Sequence, residues 1–313
     1  MAQQRYRLFD ITLARRTQVS ASLVRFTFTG PDVGHMETYA PDQRIKLFFP
    51  KDSATLAPLF EIAKLAEHDW YGAYSSLPDA QRPYARTYTI RALRPEHSEV
   101  DIEFVLHGDN GPASRWAMRA RPGDRLAMTA PAANTEGPQV GYEWKPPQGV
   151  RRILILADET ALPAAAGILE TLDALPLKPK VEALLEVPRS DDKQALPPAA
   201  KQHWLARDVE PSCQHGELLQ RALRDIDLQQ EIIALGGNPR AATHQDSKDE
   251  RSEDEEAPLW EPATLDDSAP FYAWIAAETK VAMQLRRYLV NECGLPKQYV
   301  TSMGYWRLGK ING

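Results

Sequence analysis

At 313 residues the chain is long enough for two domains, each with its own core. Its formal net charge of −6 is concentrated, since seven acids and two bases in residues 246–256 supply −5 of it. The rest is close to neutral and carries no basic stripe with interleaved aromatics, so nucleic acid is not an expected partner. Cys213 and Cys293 are isolated, which excludes a cysteine-ligated cluster and makes a structural disulfide unexpected; no protein metal site is expected either. The longest apolar runs, such as 153–156 and 232–235, are strand-length, far from the roughly 18 residues of a membrane span. Residues 1–7 lack the apolar core of a secretory signal. A soluble, cytoplasmic monomer is the expectation.

From residue 6 to about 130, short runs rich in Val, Ile, Phe, Tyr and Thr are punctuated by Pro, Gly and Asp. Residues 23–28 and 100–106 alternate polar with apolar, as half-buried antiparallel strands do, and 45–49 and 86–90 read as further strands. A compact antiparallel β-barrel is the expected solution, because closure removes exposed strand edges. One helix is expected over 112–120, with Pro112 in its first turn and Arg121-Pro122-Gly123-Asp124 ending it. Residues 136–150, rich in Pro and Gly, read as the crossover between a first domain of residues 1–135 and a second of residues 151–313.

In the second domain, strands at 152–157, 180–187, 231–235, 271–276 and 299–303 alternate with helices near 163–174, 216–224 and 280–292. Such alternation, with strands apolar throughout, means an α/β domain whose parallel sheet is covered on both faces. The acidic stretch at about 239–269 has no periodicity and reads as a flexible surface insertion, with a specific docking segment as the other reading.

Four segments carry chemistry. In Arg86-Thr87-Tyr88-Thr89, strand alternation puts Arg86 and Tyr88 on one face and Thr87 and Thr89 on the other. Together they offer a pyrophosphate donor, an aromatic platform and a hydroxyl for the polar edge of a flavin. An ordinary surface strand would look the same. His107-Gly108-Asp109-Asn110-Gly111-Pro112-Ala113-Ser114 ends a strand in a glycine turn and opens a helix, whose free amides attract an anion such as a dinucleotide pyrophosphate. A plain capped turn is the alternative, and His107 is either a turn hydrogen-bonder or a cofactor contact.

Asp158, Glu159 and Thr160 follow the first strand of the second domain, at the carboxyl edge where open parallel sheets bind ligands. Helix N-capping is an equal use for these carboxylates, and no G-x-G-x-x-G is present. Tyr305, Trp306, Arg307 and Lys310 follow the last strand, where they can cover a ring cofactor, attract an anion or anchor the tail. Arg189, beyond the second strand of the sheet, can pair with a 2′-phosphate or be an exposed loop arginine, so the donor is left as NADPH or NADH.

In this order, and together with Asp42-Gln43-Arg44-Ile45-Lys46-Leu47-Phe48-Phe49-Pro50, Ala157-Asp158-Glu159-Thr160-Ala161-Leu162-Pro163-Ala164 and Gly304-Tyr305-Trp306-Arg307, these segments resemble the siderophore-interacting protein family. Its members are FAD-dependent ferric-siderophore reductases related to ferredoxin-NADP reductase, and the resemblance spans nearly all of the chain outside the acidic insertion. It implies an FAD-binding β-barrel and an NAD(P)H-binding α/β domain. It further implies that Arg86, Thr87, Tyr88 and Thr89 hold the flavin and that Gly111, Pro112, Ala113 and Ser114 lie at its pyrophosphate. His107 and Trp116 belong to the same cofactor set, and Asp158, Glu159, Thr160 and Trp306 lie near flavin and nicotinamide. Lys46 matches a base used toward the anionic ferric siderophore, with Lys280, Arg307 and Lys310 as candidates to join it.

Two departures stand out. Where the family often has Gly-Pro-Arg-Gly this chain has Ala130-Pro131-Ala132-Ala133, and where the family often has a base it has Thr301. The family's Gly-Glu after a late strand is here Ala277-Glu278. The implied function is an NAD(P)H:ferric-siderophore reductase, with the ferric siderophore as small-molecule substrate and no essential acid-base residue. A general flavin or ferric reductase with a broader acceptor, and a non-enzymatic siderophore-binding protein, are the alternatives.

Overall fold

A computed structural model of the chain describes residues 6–51, 56–65, 70–106, 108, 111–133, 135, 137–239 and 260–309. His107, Lys310 and residues 240–259 of the acidic stretch lie outside the described residues. The described residues up to Tyr142 form one compact unit and those from Glu143 onward a second.

The first unit is built on one antiparallel sheet of seven strands: β1 (Tyr6–Gln18), β2 (Leu23–Thr29), β3 (Arg44–Phe49), β4 (Tyr84–Thr89), β5 (Ala92–Arg94), β6 (Glu99–Val105) and β7 (Arg125–Pro131). Period-two alternation sends Phe9, Ile11 and Leu13 of β1 and Phe26 and Phe28 of β2 into one core, where Phe26 meets Phe104 edge-on at 4.8 Å between ring centroids. Such pairs add about 0.5–1.5 kcal/mol beyond the area they bury.

Hydrogen-bonded neighbours run β4-β3-β7-β1-β2-β6-β5, and no ladder joins β4 to β5 among the described residues. The barrel expected from the sequence is therefore a half-barrel. β5 has only three residues, and the gap is bridged by side chains instead, with Tyr88 of β4 against Phe104 of β6 at 4.2 Å. Two helices that the sequence pattern did not announce, α1 (Leu56–Leu65) and α2 (Trp70–Ser76), lie between β3 and β4 in the chain. Leu56 and Leu59 of α1 and Leu77 after α2 form a second apolar cluster with Phe48 and Ala127. The expected helix is α3 (Pro112–Arg119), whose Ala113, Trp116 and Ala117 pack on the first core.

The second unit carries β8 (Arg152–Ala157), α4 (Leu162–Asp173), β9 (Lys180–Val187), β10 (Lys201–Ala206), α5 (Glu217–Arg224), α6 (Gln229–Ala234), β11 (Trp260–Glu261), β12 (Phe271–Glu278), α7 (Thr279–Arg287) and β13 (Val300–Trp306). The strand order is β10-β9-β8-β12-β13-β11, parallel throughout except for the antiparallel β11. Sequence order reverses between β8 and β12, the point at which open α/β sheets bind ligands beyond their carboxyl ends. No helix among the described residues is long and apolar enough to cross a membrane.

Two elements differ from expectation. The strand expected at 231–235 is the helix α6, in which Ile232 is buried and Ile233 is 64% exposed. A four-residue apolar run has no period to separate helix from strand. Its place in the sheet is taken by β10, an edge strand whose Lys201-Gln202-His203-Trp204 looks polar because only part of it is buried. The expected insertion also ends differently, because residues 260–269 are built into the second unit. Trp260 and Glu261 pair with Met303 and Ser302, and the Thr264 amide donates to Gln298 O at 3.0 Å.

Candidate functional site

In the first unit, register brings Leu47 opposite Arg86, Lys46 opposite Thr87 and Arg44 opposite Thr89. The Tyr88 ring joins the aromatic core, whereas Ala85 packs with the second cluster on the other face. The tetrapeptide 86–89 thus divides between two faces as alternation requires, and Lys46 shares the face of Thr87. Lys46 Nζ donates to Thr87 Oγ1 at 3.3 Å. Burial, and next the Arg44 charge, hold the Lys46 ammonium below its usual range. Burial likewise lowers Arg86, whose Nη1 donates to Ala85 O at 2.8 Å.

At the start of α3, Gly111 takes the N-cap position and no described side chain caps the helix. A Cβ at Gly111 would meet no described atom within 4 Å, and the first amides of a helix are left without intrahelical acceptors. Trp116, expected in the cofactor set, has its ring 5.6–6.0 Å from Phe26, Phe28, Phe49 and Phe104, which makes it largely a member of the aromatic core.

In the second unit the turn after β8 forms the centre of a buried ion network. Asp158 is fully buried, and its Oδ1 accepts from Thr160 N at 2.9 Å, Thr160 Oγ1 at 2.5 Å and Ala161 N at 3.3 Å. Its Oδ2 accepts from Glu278 N and from Trp306 Nε1, both at 2.8 Å. One carboxylate therefore ties together the ends of β8, β12 and β13. Glu159 accepts the fork of Arg207 at 2.9 and 2.7 Å. The same guanidinium reaches Glu186 Oε1 at 2.9 Å, and Glu186 also accepts the Gly216 and Leu219 amides at the start of α5.

His215 closes the network, with Nε2 3.4 Å from Glu159 Oε2 and 3.5 Å from Asp158 Oδ2. Its ring meets Trp306 edge-on at 5.1 Å. Burial alone would raise Glu159, but the His215 and Arg207 contacts outweigh it and bring the carboxyl down to about 2. Asp158 moves the other way, raised by burial and then by the neighbouring Glu159 charge. The ligand-type atoms of Asp158, Glu159 and His215 lie within 4.8 Å of one another. Protein donors already occupy both Asp158 oxygens and the fork site of Glu159, so the arrangement works as an ion network.

Sequence reasoning did not find Arg207, Glu186 or His215, and it named Glu278 only as part of the altered Ala277-Glu278 pair. Glu278 takes the position of the altered family Gly-Glu, and its Oε2 caps α7 through the Lys280 and Val281 amides at 2.7 and 3.1 Å while Oε1 accepts from Leu308 N. Lys280 is exposed and Arg307 half-buried. Arg189 stands at the end of β9, with Nε 3.0 Å from Asp191 Oδ1, and both oxygens of nearby Asp208 accept the Ser190 amide at 3.0 Å. The two positions read as missing cations, Ala132 and Thr301, are both 1% exposed. Thr301 Oγ1 accepts from Ala263 N and lies 3.0 Å from the Tyr272 hydroxyl, an interior place with no room for a solvated charge.

Residues 12–135 match the family pattern described as the siderophore-interacting FAD-binding domain, and residues 150–309 match the siderophore-interacting protein. Ferric vibriobactin reductase of Vibrio cholerae is 26% identical over 309 residues, which is 97% of this chain and 90% of that protein. The NADPH-dependent ferric-chelate reductase of Escherichia coli K12 is 32% identical over 206 residues, covering 64% and 72% of the two chains. The siderophore-interacting protein SipS from Aeromonas hydrophila is similar in structure, with a TM-score of 0.61 at 26% identity, covering 98% of this chain and 94% of that one. Ferredoxin-NADP+ reductase from Plasmodium falciparum reaches 0.56 at 12% identity over 94% of each chain, a likeness of fold alone. With an antiparallel half-barrel followed by a mostly parallel α/β sheet, and each matched in turn, the chain belongs to the siderophore-interacting protein family.

Proposed function

We propose that the protein is an FAD-dependent NAD(P)H:ferric-siderophore reductase that releases iron by reducing Fe(III) to Fe(II). The observation that carries this is the pair of family matches, an FAD-binding domain followed by the siderophore-interacting domain over residues 12–135 and 150–309. The first unit also has the donors a flavin dinucleotide needs. The uncapped start of α3, with open space at Gly111, suits a pyrophosphate. Ala113 and Ser114 would donate their amides to it, Arg86 would add a guanidinium, and Tyr88 and Thr89 would supply ring contact and a hydroxyl.

When bound, a flavin converts the electron pair of a nicotinamide hydride into single electrons for ferric iron. Lys46 draws the anionic ferric complex by charge and Thr87 fixes its ammonium. Asp158 holds Trp306 and the end of β12 in one arrangement, which positions the carboxyl edge of the sheet for the nicotinamide donor. Hard oxygen donors favour ferric over ferrous iron, so one-electron reduction loosens the complex and frees the metal.

Purified protein should be yellow, bleach with NADPH or NADH under anaerobic conditions, and regain colour when a ferric siderophore is added. A colourless protein that takes up no added FAD overturns the proposal. A second reading, a reductase of broader ferric chelates, is favoured by the interior placement of Ala132 and Thr301, which leaves Lys46 as the family-matched base of the first unit. Equal turnover of a ferric siderophore and of ferric citrate would support that reading.

A further inference from the structure

The carboxyl end of β9 lies beside that of β8, at the edge where an open α/β sheet receives a dinucleotide. Residues just past the second strand of such a sheet meet the adenosine ribose, where a carboxylate accepts from a free 2′-hydroxyl and an arginine accommodates a 2′-phosphate. Here β9 ends at Val187, and Pro188 leads into Arg189-Ser190-Asp191-Asp192. Both kinds of side chain are present, and their contacts decide between them.

Arg189 and Ser190 hold the donors that a phosphate takes, namely a guanidinium, an amide and a hydroxyl. Each already faces a carboxylate. Arg189 donates to Asp191 from Nε at 3.0 Å and from Nη2 at 3.4 Å. The Ser190 amide is shared by both oxygens of Asp208 at 3.0 Å, and the Ser190 hydroxyl donates to Asp208 Oδ1 at 2.8 Å. Asp208 is fixed in that place, because its own amide donates to Pro188 O at 3.1 Å. The two Ser190 bonds, and after them the Arg189 charge, hold its carboxyl below the ordinary range, so it is an anion at neutral pH.

Neighbouring cations do little to offset it. Arg207, next to Asp208 in the chain, is turned to Glu159 and Glu186. Buried Asp192 accepts the Arg189 amide at 3.1 Å. Across residues 189–193 and 208, the three carboxylates of Asp191, Asp192 and Asp208 stand against the two cations Arg189 and Lys193.

We propose that Asp208 is a specificity-determining residue: its carboxylate occupies the anion seat at Ser190, so the sheet edge takes a dinucleotide with a free 2′-hydroxyl, NADH, in preference to NADPH. This preference rests on the reductase function proposed above and specifies its hydride donor. A carboxylate has about four lone-pair sites. Ser190 uses two on Oδ1 and one on Oδ2, which leaves a site on Oδ2 to which a ribose hydroxyl can donate. A 2′-phosphate dianion has acceptors alone. It meets Asp208 as a like charge, and it reaches the Ser190 donors only by displacing a carboxylate already bonded to them. Asp191 sets the same obstacle before Arg189.

The test is an NMR titration of the full-length 15N-labelled protein with two fragments that differ only at the 2′ position, 5′-AMP and adenosine 2′,5′-bisphosphate. Low salt and about pH 8 keep the phosphate monoester a dianion. 5′-AMP should bind about tenfold more tightly, and Asp208→Asn should remove most of that preference, chiefly by strengthening the bisphosphate. Asp191→Asn, which frees the exposed Arg189, should shift the ratio in the same direction. A bisphosphate that binds the unmodified protein as tightly as 5′-AMP, binding of neither fragment, or an unchanged ratio in Asp208→Asn overturns the proposal. Should Asp208→Asn not fold, the ratio in the unmodified protein and its shift in Asp191→Asn decide instead. Flavin uptake is measured separately on the same sample. A colourless protein that still prefers 5′-AMP removes the reductase reading and leaves the ribose specificity standing, whereas a yellow protein that prefers the bisphosphate does the reverse.

Discussion

Replacing Arg207 with glutamine tests the ion network directly. The guanidinium makes three charge-assisted contacts, to Glu159 at 2.9 and 2.7 Å and to Glu186 at 2.9 Å, and only 17% of its side chain is exposed. Glu186 keeps two backbone amides after the change, from Gly216 and Leu219, whereas Glu159 is left with His215. Removing one partner of a buried ion pair costs about 3–5 kcal/mol, and the amides at Glu186 put the expected loss near ~3 kcal/mol. In urea that is a midpoint lowered by about 1–3 M, followed by circular dichroism.

The cost is that of a stranded charge, so Glu159→Gln in the Arg207→Gln background should recover most of it. Acid unfolding supplies a second signature. Glu159 is held at about 2 against an ordinary 4.5, so its stabilisation is complete above 4.5 and disappears as pH falls toward 2. Arg207→Gln should flatten that slope. A variant within ~0.5 kcal/mol of the parent, or a failure of Glu159→Gln to rescue, would refute the reasoning.

Three further outcomes are expected. Gly111→Asp adds a carboxylate at an uncapped helix start in extended backbone, φ 169°; calorimetry should show the flavin-free protein stabilised by about 0.5–1 kcal/mol, while titration with FAD shows weaker binding because the pyrophosphate meets a like charge. Glu278→Ala removes the acceptor of the Lys280, Val281 and Leu308 amides. A loss of about 1–2 kcal/mol, read as a melting temperature lower by about 2–8 °C, is the expected result. Lys46→Ala should leave flavin content unchanged and raise KM for a ferric siderophore several-fold, an effect that shrinks in high salt. Unchanged KM would point to the broader chelate reductase.

Strands with a regular polar–apolar alternation or a continuous apolar run were legible in the sequence. β2 and β6 alternate apolar with polar residues in sequence, although Thr27, Asp101 and Glu103 are buried as well, and β8 and β12 are apolar almost throughout, as two covered faces require. β10 was not, because an edge strand exposes Lys201 and half-buries the next four residues. The helix α1 was hidden by Pro58 in its first turn, a position where proline is tolerated and yet reads as a breaker.

The turn at Asp158 was legible as a candidate site because of its place after the first strand. Its partners were not, since Arg207 lies 48 residues from Glu159 and no periodicity links them. One signal was available: Glu182 and Glu186 interrupt an otherwise apolar strand, and an acid in such a run implies a buried cation nearby. The acidic stretch hid its own end, because charge and proline dominate residues 239–269 while the anchoring residue is the single aromatic Trp260.

That anchor bears on how copies of this protein behave toward one another. An exposed β13 would present a row of unpaired amides and carbonyls, a template on which a second molecule could add a strand. Trp260 and Glu261 occupy that row at Met303 and Ser302, and are pinned by the indole bond to Glu143 and the ion pair with Arg286. Two residues thus blunt a sticky margin, and deleting Trp260 and Glu261 alone should make the protein associate as concentration rises, read by light scattering.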